Sequence, residues 1–400
     1  MPWCESSPME QRLQLVQEYR GGLFTMTELA EQYGISRKTA YKWVARYAEA
    51  DEALEALADH SRRPRARPQA TAPVVVAALI ALRKRHPRWG ARKLVALGRV
   101  RHPTLVWPAR STVCDLLTRA GLVKVRPRRA AAVGHASSPL VAMEAANQTW
   151  TTDFKGEFRT GDGRYCYPLT LRDGFSRFVL RCDGLSARTV ADTQRRFLRA
   201  FAEYGLPDRI RSDNGTPFAA TGLARLSRLA VWWMRLGIVP ERIAPGRPEQ
   251  NGSHEQFHSV LKAETARPPA STLAAQQRRF DRFCTEYNHV RPHEALGDQP
   301  PATRYTASTR ALPTKLPPLE YPGHMEVRRV SGAGHIAWRG PVFLTETLAR
   351  HDVGLEEVDD GLWTIYFGSV ALARFDERSR TLQPLAAITT GCAPITSART

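Results

Sequence analysis

The sequence predicts a multidomain α/β protein: helical modules first, a core of mixed strands and packed helices in the middle, and a small β-rich tail. Three observations carry this reading. A chain of 400 residues is too long for one small domain and suits about three. Its 58 Lys+Arg against 39 Asp+Glu leave a net charge of +19, and the excess is localised, since residues 61–130 hold 18 Lys+Arg against one acidic residue, Asp115. The hydrophobic pattern also changes along the chain, from helical periodicity near the N-terminus to strand-like alternation with glycine turns near the end.

A cationic surplus of this size favours a polyanionic partner, without by itself separating DNA from RNA or an anionic membrane. No hydrophobic run approaches a membrane span and the N-terminus lacks a signal-peptide pattern, so a soluble protein with no membrane partner is expected. The six cysteines (Cys4, Cys114, Cys166, Cys182, Cys284, Cys392) are scattered with no C-x-x-C pair. That argues against a structural zinc site or a disulfide framework, and for a reducing cytosol.

Residues 1–60 read as three short helices. Gln11 to Tyr19 is the first; Thr27 is a plausible cap for Glu28 to Tyr33; Gly34 breaks the chain, and Ser36 caps a third helix through Tyr47. Leu29, Ala30, Ile35, Ala40 and Val44 can form a small core, leaving Arg37, Lys38, Thr39, Lys42 and Arg46 on an exposed side. The tight Gly34-Ile35-Ser36 turn favours a helix-turn-helix whose last helix enters the major groove, over a helical bundle with an ordinary solvated basic face. Asp51 to Asp59 reads as an acidic helical spacer.

A proline- and arginine-rich linker follows at 61–73, where Arg62, Arg63, Arg65 and Arg67 suit an extended track along a phosphate backbone. Residues 74–125 read as a second helical module: Val74 to Arg85, a turn and helix at HPRWGARKL, and Ser111 to Ala120. Arg83, Lys84, Arg85, Arg88, Arg92 and Lys93 are candidate phosphate contacts, of the kind that position a protein without reading sequence. Residues 126–146 are a second linker.

The core is expected at 147–305. Trp150 to Phe158 reads as a strand, TGDG at 160–163 as a hairpin turn, and Arg164 to Arg172 and Phe175 to Asp183 as partner strands. Ala187 to Tyr204 reads as a helix with Val190, Phe197, Leu198 and Phe201 inward, and Arg209 to Ser212 as a short buried strand delivering Asp213. Beyond a run holding Trp232 and Trp233 comes a strand at Gly237 to Ile243, then PGRPEQNGSHEQFHSVL (Pro245 to Leu261) and a last helix from Leu273 to Tyr287. In that run a proline–glycine opening gives way to a helix beginning near Asn251. Phe257 and Leu261 share its buried face, while Glu255 points to another side. The tail at 320–385 alternates as strands do; between Glu320 and Arg378 it holds ten acidic and six basic residues, so it is not an obvious DNA clamp, and contact with the core or another protomer is expected.

Four motifs in order, TTDF, SDNG, PGRPEQNGSHEQFH and YNHVRPHEALGDQPPATRY, resemble the Asp-Asp-Glu core of insertion-sequence transposases and retroviral integrases. The resemblance implies a ribonuclease-H-like sheet, a second DNA-binding module of the transposase kind and a compact C-terminal β-barrel. It also implies that Asp153, Asp213 and Glu255 are the catalytic, metal-binding carboxylates, separated by 59 and 41 intervening residues. Glu249, with 35 residues between it and Asp213, competes for the third place; family members carry that ligand four residues after the Asn that here is Asn251, which favours Glu255.

Hard cations prefer carboxylate oxygen, and two Mg²⁺ ions (Mn²⁺ substituting) about 4 Å apart suit phosphodiester cleavage by water followed by attack of a 3′-hydroxyl on target DNA. Asn214, Gln250 and Asn251 are expected to orient the ligands or contact DNA, and Arg247 and Lys262 to hold phosphates. His254 and His258 lack zinc-ligand partners at proper spacing and read as DNA-facing or simply polar; Arg291, Pro292 and His293 read as structural, tying the last core helix back to the sheet; Asp173 and Asp183, each followed by glycine, read as turn residues. The expected partner is double-stranded DNA, both terminal repeats and target, bound by a homo-oligomer in the cytoplasm at the nucleoid. A catalytically silent DNA-binding regulator is the alternative, and a plain nuclease has little use for two DNA-binding modules.

Overall fold

The computed structural model describes residues 7–60, 70–123, 142–220, 222–243 and 252–390. The chain divides into two compact units, Met1–Thr71 and Ala72–Thr400. In the first, α1 (Pro8–Arg20), α2 (Met26–Gln32) and α3 (Arg37–Glu49) surround Leu15, Val16, Met26, Ala40 and Trp43. Each helix starts on a hydroxyl cap, Ser7, Thr25 and Ser36, and the first two caps are closed reciprocally by Glu10 and Glu28. The cap of α2 is thus Thr25, not Thr27, because Glu28 stands three residues beyond Thr25 and completes the box. Asp51 to Asp59 does not form a spacer helix. Only a 3-10 turn at Leu54–Leu57 forms, and it folds back with Leu57 fully buried and its carbonyl accepting from Arg12 at 2.7 Å.

The second unit begins with α4 (Pro73–Arg85), α5 (Ala91–Arg101) and α6 (Arg110–Arg119), packed around Leu79, Trp89, Leu94, Trp107 and Val113. The core follows: β1 (Thr149–Phe154), β2 (Phe158–Arg159), β3 (Tyr165–Asp173), β4 (Val179–Leu185), α7 (Val190–Tyr204), β5 (Arg209–Ser212), α8 (Arg228–Arg235), β6 (Val239–Arg242), α9 (Gly252–Thr265) and α10 (Leu273–His289). β3 pairs antiparallel with β1, β2 and β4, while β5 and β6 run parallel to β1, giving a mixed sheet. α7 and α8 cover it with Phe197, Phe201 and Trp233, all almost fully buried. Leu198 instead stays 39% exposed, and Ala200 takes the inward place three residues after Phe197.

The tail holds β7 (Glu326–Arg329), β8 (His335–Ala337), β9 (Pro341–Phe343), β10 (Asp352–Asp359), β11 (Leu362–Phe367), β12 (Val370–Asp376) and β13 (Thr381–Thr390). Among the described residues the expected closed barrel is not found. Five strands form an open antiparallel sheet in the order β13-β12-β11-β10-β7, with β8–β9 a separate ribbon. Its apolar face is covered by the core instead: Leu226, Ala230 and Met234 on and beside α8 join Trp338, Leu348, Leu355 and Phe367 in one cluster. A sheet whose hydrophobic face is already buried against a helix need not close on itself to hide it.

Candidate active site

Strand register brings the first two carboxylates together. Thr149, Trp150 and Thr151 of β1 pair in parallel with Arg209, Ile210 and Arg211 of β5. Two residues beyond the last of these pairs stands Asp153, near the end of β1, and Asp213 follows directly on the end of β5, close enough for its charge to act on Asp153. Asp153 is near the end of β1, where the antiparallel partner Thr170 still holds it in the ladder; Asp213 leaves the end of β5 into a turn. Asn214 Nδ2 donates to the Ile243 carbonyl at 2.9 Å, fastening that turn to the chain beyond β6.

Burial pushes the Asp153 carboxyl up to about 7, and the negative charge of Asp213 adds to the effect, with a smaller push from Glu255. Lys155 pulls the other way. Asp213 is raised too, again by burial, with the Gly215 amide and Arg188 opposing. Its Oδ1 is buried and has no hydrogen-bond partner. A cleft of about 320 Å³ opens beside it, lined by Phe154, Arg188, Asp213, Gly215 and Thr216.

Glu255 lies in the first turn of α9 with an exposed side chain, while Phe257 and Leu261 are buried, as the helical spacing predicts. It reaches Asp153 through its field; among the described residues no three His, Cys, Asp or Glu side chains are grouped closely enough to hold a metal ion. Like charges brought together in a partly buried site repel, so three carboxylates have no reason to close up on their own. The donor chemistry nonetheless fits a hard divalent cation: the groups offer oxygen only, and Asp213 Oδ1 is buried without a partner. Glu249, Arg247, Gln250 and Asn251 lie outside the described residues, as do Arg62, Arg63, Arg65 and Arg67.

His254 and His258 do not face outward. They are 1% and 2% exposed, and their Nε2 atoms both stand 2.7 Å from Thr170 Oγ1. The signal was in the sequence: His254, Phe257, His258 and Leu261 fall at i, i+3, i+4 and i+7, the stripe of a buried helix face. Beneath α9, the fully buried Arg172 donates to the Ser253 carbonyl at 3.0 Å and lies 4.6 Å over the Phe257 ring. Arg188, Lys155 and Arg172 went unnoticed in the sequence because an isolated basic residue gives no sign of which carboxylate or carbonyl it will approach.

The basic residues of the two helical modules divide. Arg37, Lys38 and Lys42 are exposed on α3; Thr39 bonds to the Ser36 cap at 2.9 Å, and Arg46 lies 5.2 Å over Trp43. In the second module Arg88 is exposed, but Arg92 and Lys93 are not free phosphate contacts. Arg92 pairs with Asp298 at 2.8 Å and with Glu294, and Lys93 is partly buried, its ammonium held down to about 8 by burial and by Arg291. Arg83 is occupied as well, donating to the carbonyls of Leu122 and Trp89. Lys262 is exposed on α9 and shares a surface hollow with Lys155. Arg291 pairs with Glu264 at 2.8 Å and lies 5.5 Å over Trp89, so it fastens α9 and the second module more than it does the sheet. Asp173 accepts from the Asn147 and Ser176 amides and closes the β3–β4 turn, whereas Asp183 sits within β4 and pairs with Arg181 at 3.0 Å.

Two models described as integrase core domain match residues 143–248 and 236–301, and models of a helix-turn-helix domain and a homeodomain-like domain match 11–65 and 39–117. An uncharacterised protein of insertion element IS476 from Xanthomonas euvesicatoria is 31% identical over 232 residues, 56% of this chain and 63% of the relative. The transposase InsD of insertion element IS2 from Escherichia coli is 28% identical over 172 residues, 40% of this chain and 54% of the relative. The chain therefore matches less than two thirds of the length of either. Among solved structures, the HTLV-2 integrase catalytic core domain in complex with magnesium is similar at a TM-score of 0.33 and 16% identity, covering 40% of this chain and 98% of that one. The simian T-cell lymphotropic virus intasome in complex with the PP2A regulatory subunit B56 gamma gives 0.37 and 14%, covering 79% and 99%. Both scores are low. Residues 143–301 match integrase-core models, the helical modules before them match helix-turn-helix and homeodomain-like models, and the relatives are insertion-element proteins, so the middle of this chain is an integrase-type core domain.

Proposed function

We propose that this protein cuts the ends of an insertion element and joins the freed 3′-hydroxyls to target DNA, with Asp153, Asp213 and Glu255 as its catalytic carboxylates. The helical modules at 1–60 and 74–125 bind the element's terminal repeats and the core at 147–305 carries the chemistry. The protein acts as a homo-oligomer assembled on double-stranded DNA at the nucleoid. The observation that carries this reading is the Asp153–Asp213 pair: two carboxylates brought close by neighbouring parallel strands, one near the end of β1 and raised to about 7 by burial and by its neighbour, the other just past the end of β5 with a buried oxygen lacking any partner. Such an arrangement costs stability unless something uses it.

Asp153, Asp213 and Glu255 of α9 would together hold two magnesium ions. When bound, the ions supply an activated oxygen nucleophile and neutralise charge on phosphorus. The chain's own contributions are separate. The parallel register fixes the spacing of the two aspartates, Asn214 anchors the turn that carries the second, and Arg188 presents a cation to the cleft beside Asp213. Asn214 and Lys262, with Arg247, Gln250 and Asn251, would orient the carboxylates or hold DNA phosphates. A silent regulator would have no use for two acids kept together at such cost.

The test is magnesium-dependent joining of DNA that bears the element's ends. Asp153→Asn, Asp213→Asn and Glu255→Gln are each expected to lower joining by more than about 100-fold, beyond what loss of a supporting contact does, with end binding retained. Glu249→Gln is expected to keep appreciable activity; the opposite pattern at 249 and 255 would move the third carboxylate to Glu249.

A further inference from the structure

The two buried histidines of α9 form a hydrogen-bond chain that ends at Asp153. Thr170 Oγ1 lies 2.7 Å from His254 Nε2, 2.7 Å from His258 Nε2 and 3.0 Å from the Asp153 carbonyl. His254 Nδ1 is 3.0 Å from Thr151 Oγ1, and His258 Nδ1 stands 3.5 Å from Asp153 Oδ2. Both rings are neutral, because burial opposes their charging and the cations Lys155 and Arg172 add to it.

A neutral imidazole has one N–H and one lone pair, and the threonine hydroxyl has a single hydrogen to give. If both rings carried their hydrogen on Nε2, both would donate to Thr170, and His258 would turn a bare Nδ1 lone pair toward the Asp153 carboxylate. With the carboxylate in the ionised form that can hold a cation, a lone pair facing it is repulsive. The alternative satisfies each ring nitrogen by turning the Thr170 and Thr151 hydroxyls from the Asp153 and Arg172 carbonyls to the rings: Thr151 donates to His254 Nδ1, His254 Nε2–H donates to Thr170, Thr170 donates to His258 Nε2, and His258 Nδ1–H faces Asp153 Oδ2.

We propose that His258 is a positioning residue for Asp153, donating Nδ1–H to Oδ2 in a tautomer fixed by Thr170 and His254, so that this carboxylate is held in one orientation. The inference rests on the role given to Asp153 above. Carboxylates that hold metal ions are themselves oriented by such outer hydrogen bonds, and the partner of the far ring nitrogen decides the tautomer. The 3.5 Å separation is long for a hydrogen bond and is of the kind that tightens when a site is loaded.

Two measurements test it. Side-chain ¹⁵N NMR on the metal-free full-length protein, at a pH well above 7 where Asp153 is ionised, is expected to find His258 protonated on Nδ1 and His254 on Nε2. An Nε2-protonated His258 overturns the proposal. In the joining assay, His258→Asn places an amide N–H near the Nδ1 position, whereas His258→Gln reaches only toward Nε2. Asn is expected to keep activity within about tenfold of the parent and Gln to lose about 100-fold, with DNA binding unchanged in both. Equal activity of the two variants overturns the positioning role. If both variants fail to fold, the NMR result on the parent decides. If Asp153→Asn joins DNA as well as the parent does, the functional reading fails, while the tautomer measurement still stands or falls separately.

Discussion

The first helical module (α1–α3) and the second (α4–α6) are each three short helices packed around a tryptophan with cations near its ring. Trp43 lies beneath Arg12, Lys42 and Arg46; Trp89 stacks on His86 at 4.1 Å and has Arg291 above it. Beyond the ring the two part company. On α3, Arg37, Lys38 and Lys42 face solvent. On α4 and α5, Arg83 is taken by carbonyls, Arg92 by Asp298 and Glu294, Lys93 by burial beside Arg291, and His86 bonds Glu286 at 2.8 Å. The second module spends part of its charge within itself, through Arg83, and part on docking to the core, through Arg92 and Lys93. A cation is useful to a phosphate only if no carboxylate or carbonyl has claimed it first, and a count of basic residues cannot tell the two cases apart.

The contrast can be broken most decisively at α3. Replacing Arg37, Lys38 and Lys42 together by alanine is expected to weaken DNA binding by about 100-fold at moderate salt and to make the salt dependence shallower by roughly three counterions. Fluorescence anisotropy across a salt series reads both. Unchanged affinity there, together with a loss on Arg92→Ala, would reverse the assignment of roles.

A smaller effect is expected at Lys93. Its folded-state value, about 8, lies below the 10.5 of a free lysine, so between these values the unfolded chain binds the proton that the folded one has released. Stability from this group is therefore lowest below pH 8 and rises as pH climbs toward 10.5. Lys93→Met should stabilise the protein by about 1–2 kcal/mol at pH 7, a figure discounted for partial exposure. The gain should shrink above pH 8 and vanish near pH 10.5, as denaturant melts at several pH values would record. A pH-independent difference would mean that Lys93 is not the group responsible.

Arg92→Ala should have the smallest effect, a slight loss of stability, since the arginine and its carboxylate partners are exposed or part-exposed. Chemical denaturation in low and high salt checks it: the loss should shrink as salt screens the pairs. A loss that ignores salt would point to the packing of the arginine stem instead.

Much of the fold was legible because its signals are local. Ser36 and Gly34 mark the turn before α3, the apolar spacing marks α7 and α10, and TGDG marks the β2–β3 turn. The motif around Asp153, Asp213 and Glu255 was legible too, as linked stretches in a set order. The misses have one physical cause. Leu198, the histidines of α9, Arg92 and Lys93 were judged from their own neighbours in sequence, yet each was decided by a surface arriving from elsewhere: α8 and the sheet, Thr170 on β3, and the segment after α10.

The sequence by itself determined where helices and strands start and stop, because caps, turns and periodicity act within a few residues. It also placed three acids in separate segments. Only the tertiary structure decided that adjacent parallel strands bring Asp153 and Asp213 together, that the tail is an open sheet lying on α8, and which cations remain free. Those outcomes depend on contacts between residues tens to hundreds of positions apart, where pairing register and competition for partners, not local propensity, set the result.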